Sequence, residues 1–75
     1  MKSTQKLDAS GLECPMPLLK TKLALNTMSP GEVLEVLATD PGSARDIPAF
    51  LKLSPHELLE SEESEQGLRF WIRRG

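Results

Sequence analysis

The sequence predicts a small α/β domain built in the order strand, helix, strand, helix, strand, strand. Three observations carry this. Two successive units each read as a strand, a short turn, an X-Pro pair and a helix-favouring run. The run "EVLEVLAT" between them is rich in β-formers. The chain then closes on two strand-like runs separated by the turn "SEQG". With 75 residues and 39% hydrophobic composition there is material for one core. Residues 1–75 are therefore read as a single domain, with residues 1–4 expected to be loose.

Each element has a local reason. Gln5–Ser10 form a short first strand, ended by Gly11. From Pro15 to about Met28 a helix is favoured by Leu, Lys and Ala, and Ser29–Gly31 stops it. Glu32–Thr39 form the second strand, with Glu35 marking the solvent face. Asp40 before Pro41 reads as an N-cap with proline at the first helical position, so a second helix should run to about Leu53. Pro48 inside it should bend it or split off its first turn. His56–Glu63 form the third strand, with an acidic outer face. Leu68–Arg74 then alternates: Leu68, Phe70 and Ile72 on one face, Arg69, Trp71 and Arg73 on the other.

Composition excludes several classes. No run approaches the roughly 18 apolar residues of a membrane span, and "MKSTQKLDAS" lacks the apolar centre of a signal peptide, so a cytoplasmic protein with no membrane partner is expected. One cysteine allows no internal disulfide, and one Cys with one His cannot complete a zinc site, so no metal and no cofactor is expected. A net charge of −2 argues against a general nucleic-acid binder.

That leaves Cys14, in "GLECPMPLLK", as the residue whose role must be decided. If the first two strands are parallel, both helix starts emerge at the carboxyl edge of the sheet, and Cys14, Asp40, Gly42 and Ser43 share one rim. Pro15 at the first helical position makes Cys14 the expected N-cap, and Pro17 is tolerated two residues on because the first N–H groups of a helix have no internal partner. The two prolines hold the thiol at a rigid helix start. The helix dipole should lower the thiol's pKa, moderated because Pro17 offers no N–H and leaves that of Met16 as the main donor. The expectation is a nucleophilic but not extremely acidic thiol. A buried, inert cysteine is the bland alternative, opposed by the charged neighbour Glu13 and the solvent-facing character of caps.

Conventional nucleophilic catalysis lacks a base. His56, the sole histidine, follows "LSP" and is read as a turn or surface residue. No second cysteine makes a CxxC pair. What remains is a lone exposed thiol that can carry something.

At this point "LDASGLECPMPLLKTKLAL" resembles the Cys-Pro-x-Pro signature of the TusA-like (SirA-like) sulfur-carrier family. "GEVLEVLATDPGSARDIPAF" is similar to its second strand and helix, and "HELLESEESEQGLRFWIRRG" to its closing hairpin. The resemblance spans residues 7 to 74. It implies a two-layer α/β sandwich: a mixed four-stranded sheet ordered 1-2-4-3 with both helices on one face. It also implies that Cys14 accepts sulfane sulfur as a persulfide from a cysteine desulfurase or related donor and relays it to an acceptor protein. The pathways implied are tRNA thiolation, molybdenum-cofactor biosynthesis or sulfur metabolism. Some members carry a second cysteine where this chain has Leu51, so a second relay thiol is in doubt and a single-cysteine relay is expected.

Such a relay needs a docking surface. On the first helix Leu18, Thr21, Ala24, Leu25 and Met28 form a core stripe, while Met16, Leu19 and Leu23 fall on another side. That second stripe either packs under a neighbouring loop or against a strand end, or is a partner patch beginning two residues from the thiol, flanked by Lys20 and Lys22. Arg45 could favour a sulfur anion or an acidic partner; for Arg45 and Asp46 a structural ion pair or helix-surface contact is the preferred reading. A competing class is a nucleic-acid-binding or regulatory module using Arg69, Trp71 and Arg73. Against it stands a Trp shielding the open sheet face, with its arginines paired to glutamates across strands. A scaffold that only docks a desulfurase is a third class, and would work without the thiol. A monomer is expected, with no direct nucleic-acid partner.

Overall fold

The computed structural model describes residues 3–75, with β1 (Gln5–Ala9), α1 (Met16–Asn26), β2 (Val33–Ala38), α2 (Ser43–Lys52), β3 (Glu57–Ser64) and β4 (Gly67–Arg73). The four strands form one mixed sheet ordered β1-β2-β4-β3, with β1 parallel to β2 and β4 antiparallel to both β2 and β3. This is the two-layer α/β architecture expected.

Alternation decides which face is covered. Leu34, Val36 and Ala38 of β2 and Leu68, Phe70 and Ile72 of β4 are buried, and they pair in register across the two central strands, Leu34 with Ile72 and Val36 with Phe70. Thr21 and Leu25 of α1, Met28 just beyond it, and Ile47 and Leu51 of α2 are buried too, and all but Thr21 and Ala38 belong to one apolar cluster. Leu18 and Ala24 are half-buried against it, so the expected core stripe of α1 faces the sheet. Pro17 is also fully buried. Leu51, the position at which a second relay thiol was in question, is a core leucine.

Several boundaries differ from expectation. The first turn of α1 begins at Met16 with Pro15 as N-cap, so Cys14 lies one residue before the cap, and the Cys14–Pro15 peptide is cis. Asp40 does not cap α2. That helix starts after Gly42, and what Asp40 supplies is its backbone carbonyl, which accepts from the Ser43 N–H at 3.0 Å. Pro41 accordingly sits in the turn before the helix, not at its first position. Pro48 lies within α2 without splitting it. It removes one in-helix bond, since proline has no N–H for the Ala44 carbonyl. Of the segment expected to be loose, Met1 and Lys2 lie outside the described residues. Thr4 instead bonds β2 through its N–H to the Val33 carbonyl (2.7 Å), and Ser3 Oγ donates to Glu35 Oε1 at 3.2 Å.

Candidate functional site

The parallel pairing of β1 and β2 sends both following segments out at the same end of the sheet, which brings the start of α2 against Cys14. Gly42 is one point where the two segments come close. A Cβ there would stand 3.5 Å from Cys14 Cβ, 3.8 Å from its Sγ and 2.9 Å from Asp40 Oδ2. Cys14, Asp40 and Gly42 therefore share a rim.

Cys14 is solvent-exposed. Its hydrogen bonding is not that of an N-cap. The Met16 N–H, the donor expected to reach the sulfur, is taken by the Glu13 carbonyl at 2.8 Å. The thiol donates instead to Asp46 Oδ2 at 2.6 Å, a contact between residues 32 apart in the chain. Its pKa is consequently raised above the ordinary thiol value, opposite to the expectation. The hydrogen bond to Asp46 is the main cause; exclusion of water and the negative charges of Asp46 and Asp40 add to it, and Arg45 opposes it. The helix dipole does not reach the thiol usefully, because Cys14 lies before the cap and meets a carboxylate in place of free N–H groups. The same bond holds the Asp46 carboxyl below its usual range.

Asp46, in the first turn of α2, does more than the ion pair or helix-surface contact its sequence position suggests. The pair exists, Arg45 Nε lying 3.5 Å from Asp46 Oδ1, but the Arg45 side chain is 86% exposed and reaches into solvent. Asp40 contributes a second acidic group, and its Oδ2 is buried with no hydrogen-bond partner among the described residues. The one signal that could have exposed Asp46 was its place in the helical turn that parallel strands must set beside Cys14.

Along α1 the second apolar stripe is not covered. Met16, Leu19 and Leu23 are 42%, 44% and 65% exposed, so packing under a loop is ruled out. Lys20 beside it is exposed, whereas Lys22 Nζ lies 5.0 Å over the Phe50 ring. The basic C-terminal cluster is spent on structure. Arg69 Nε is 3.5 Å from Glu35 Oε2, Arg73 pairs with Glu57, and Arg74 Nε donates to the Leu25 carbonyl near the end of α1. Trp71, between Glu35 and Glu60 in register, is 7% exposed and offers no open stacking surface. His56 accepts the Gly75 N–H on Nδ1 at 3.0 Å, and burial together with Arg74 lowers its pKa. It is the turn residue expected.

Among the described residues no helix is long and apolar enough to cross a membrane, and no cluster of three His, Cys, Asp or Glu side chains could hold a metal ion. Fold and rim together define a class: a two-layer α/β domain that offers a single thiol at the sheet's edge.

Comparison with known proteins narrows that class. The family model for sulfurtransferase TusA matches residues 5–74, and the chain belongs to this family. It is 53% identical over 70 residues to the sulfur carrier protein TusA of Allochromatium vinosum, covering 93% of this chain and 92% of that one. It is 48% identical over 75 residues to the putative sulfur carrier protein YrkI of Bacillus subtilis, covering all of both chains. A solved SirA-like protein from Desulfitobacterium hafniense shares the fold, with a TM-score of 0.76 at 24% identity over 92% of this chain and 93% of that one. The family gives the chain a sulfur-carrier role, and with it contact with proteins that give and take sulfur.

Proposed function

We propose that Cys14 is the carrying atom: it accepts sulfane sulfur as a persulfide from a cysteine desulfurase or another sulfane donor and passes it to an acceptor protein. The observation that carries this reading is the placement of the chain's sole cysteine, exposed and adjoining α1, whose own apolar stripe of Met16, Leu19 and Leu23 is left uncovered beside it. Sulfur transfer requires an attackable sulfur and a surface on which donor and acceptor can dock in turn; it requires little acid–base machinery. Pro15 and Pro17 fix the backbone that presents the thiol, and Met16, Leu19, Leu23, Lys20 and the solvent-reaching Arg45 supply the docking surface. The role is that of a cytoplasmic carrier feeding tRNA thiolation, molybdenum-cofactor or sulfur metabolism, acting with its partners and not as a multiple-turnover catalyst alone.

Intact-protein mass spectrometry tests it. After incubation of the reduced protein with L-cysteine and a cysteine desulfurase, the wild type should gain the mass of one sulfur atom, reversibly with dithiothreitol and transferably to a second thiol protein. Cys14→Ser should gain nothing. If thiosulfate and other sulfane donors also left Cys14 unmodified while a small alkylating agent reacted with it, the reading would be overturned.

A further inference from the structure

Cys14 meets its sulfur donor with its proton already engaged. The thiol donates to Asp46 Oδ2 at 2.6 Å, and the Asp46 side chain is only 24% exposed. Ionising the sulfur would break that bond and leave two anions in contact. Asp40 strengthens the effect from the other side of Gly42: the position a Cβ would take there lies 2.9 Å from Asp40 Oδ2 and 3.8 Å from Cys14 Sγ. The charged groups bearing on the sulfur are thus Asp46 and Arg45 from α2 and Asp40 from the turn before it, with Glu13 adjoining it in its own segment. Arg45, mostly in solvent, is the one cation among them and is the most screened.

We infer that Asp46, seconded by Asp40, lowers the occupancy of the carrier by stabilising the empty form as a hydrogen-bonded thiol and disfavouring the loaded one, so that unloading gains what loading loses. The inference rests on the persulfide reading above and adds a positioning residue to it. In loading, Cys14 Sγ attacks the outer sulfur of a donor persulfide, R–S–SH. The donor's S–S bond breaks as the new one forms, R–S⁻ departs, and the proton released by Cys14 goes to that leaving thiolate. No net oxidation takes place. A persulfide is a stronger acid than its parent thiol, so the loaded carrier at neutral pH is an anion with no hydrogen to donate, set against two carboxylates. The empty carrier keeps a bond that the loaded one loses.

Two readouts test this on Asp46→Asn, Asp46→Glu and Asp40→Asn. The first is the pH profile of Cys14 alkylation by iodoacetamide. Below the thiol pKa, each unit by which it falls raises the thiolate fraction tenfold and lowers intrinsic nucleophilicity about threefold, for a net gain of about threefold in rate. Asp46→Asn should move the profile to lower pH, Asp40→Asn should do so less, and Asp46→Glu should stay near wild type. The second readout is the ratio of loaded to empty carrier, by intact mass, at equilibrium with glutathione persulfide and glutathione. Asp46→Asn should raise it by roughly fivefold, the factor for a surface charge interaction at the top of its usual range. If Asp46→Asn does not fold, rising salt applied to the wild type serves instead, because screening the carboxylates should also lower the alkylation midpoint. Unchanged profiles and an unchanged ratio would overturn the inference. A wild type that loads from no donor would overturn the carrier reading itself, and the alkylation profiles would still decide whether Asp46 governs the thiol.

Discussion

The two helices cover the same face of one sheet, yet they treat apolar side chains differently. In α2 the residues Ile47 and Leu51 go into the core, while Ala44, Arg45, Ala49 and Lys52 face solvent. In α1 the fully buried positions are Pro17, Thr21 and Leu25, a proline and a threonine among them, with Leu18 and Ala24 half-buried beside them, while Met16, Leu19 and Leu23 stand in water. A helix serving packing alone would have these assignments reversed, because burying a leucine contributes about 1.5–3 kcal/mol that an exposed one forgoes. Thr21 fits inside only because its Oγ1 donates to the Pro17 carbonyl at 2.8 Å. The helix that tolerates this is the one beside the thiol.

The largest expected effect bears on α2. Ile47→Ala removes a fully buried side chain from the main cluster and should destabilise the domain by about 2–5 kcal/mol in urea unfolding. Next comes the α1 stripe. The pair Leu19→Asp with Leu23→Asp should leave stability within about 0.5–1 kcal/mol of wild type while weakening sulfur exchange with a partner protein by roughly tenfold, measured as the rate of mass transfer at sub-saturating partner. A large loss of stability in this variant would erase the contrast between the helices. On the opposite face of the sheet, Arg69→Ala should cost about 1 kcal/mol or less and leave sulfur uptake unchanged, since its pairing with Glu35 is partly solvated.

The smallest effect is one of pH. The Asp46 carboxyl is depressed in the folded state, so its contribution to stability is present above its unfolded value, near 4, and is lost as pH falls through the folded pKa. The Cys14 thiol is raised, so its contribution is complete below its unfolded value and is lost as pH rises through the folded one. One hydrogen bond should therefore leave a weak acid limb and a weak alkaline limb in the stability profile. Cys14→Ser retains a donor that does not ionise, and should lose the alkaline limb only.

Much of this was legible because it is written in short-range signals. Strand alternation in "LRFWIRR", the stop at "SPG" and the proline pairs place six elements to within two residues, and the charged neighbour Glu13 points to the exposure of Cys14, although the cap position that also argued for it belongs to Pro15. The resemblance supplied the strand order. The failures share a physical cause. Whether a proline is a helix's first residue or its cap, and whether an aspartate caps through its side chain or its carbonyl, is decided by the contacts of the turn and not by residue type. The Cys14–Asp46 bond joins residues 32 apart and has no local pattern at all. Alternation puts Trp71 on the outer face, but its burial there comes from neighbours on the two flanking strands, which no local pattern shows.

β3 bears on how such a protein lives among its own copies. It is an outer strand of the sheet, its free edge open to pairing, and it carries Glu57, Glu60, Glu62 and Glu63, with an irregularity between Leu58 and Glu60. Two such edges brought together would align carboxylates about 5 Å apart across a broken ladder of backbone groups. Like charge on Glu60, Glu62 and Glu63 thus opposes pairing of β3 with its own copies, and the apolar patch on α1 can stay bare for visitors without this edge becoming a seed for aggregation.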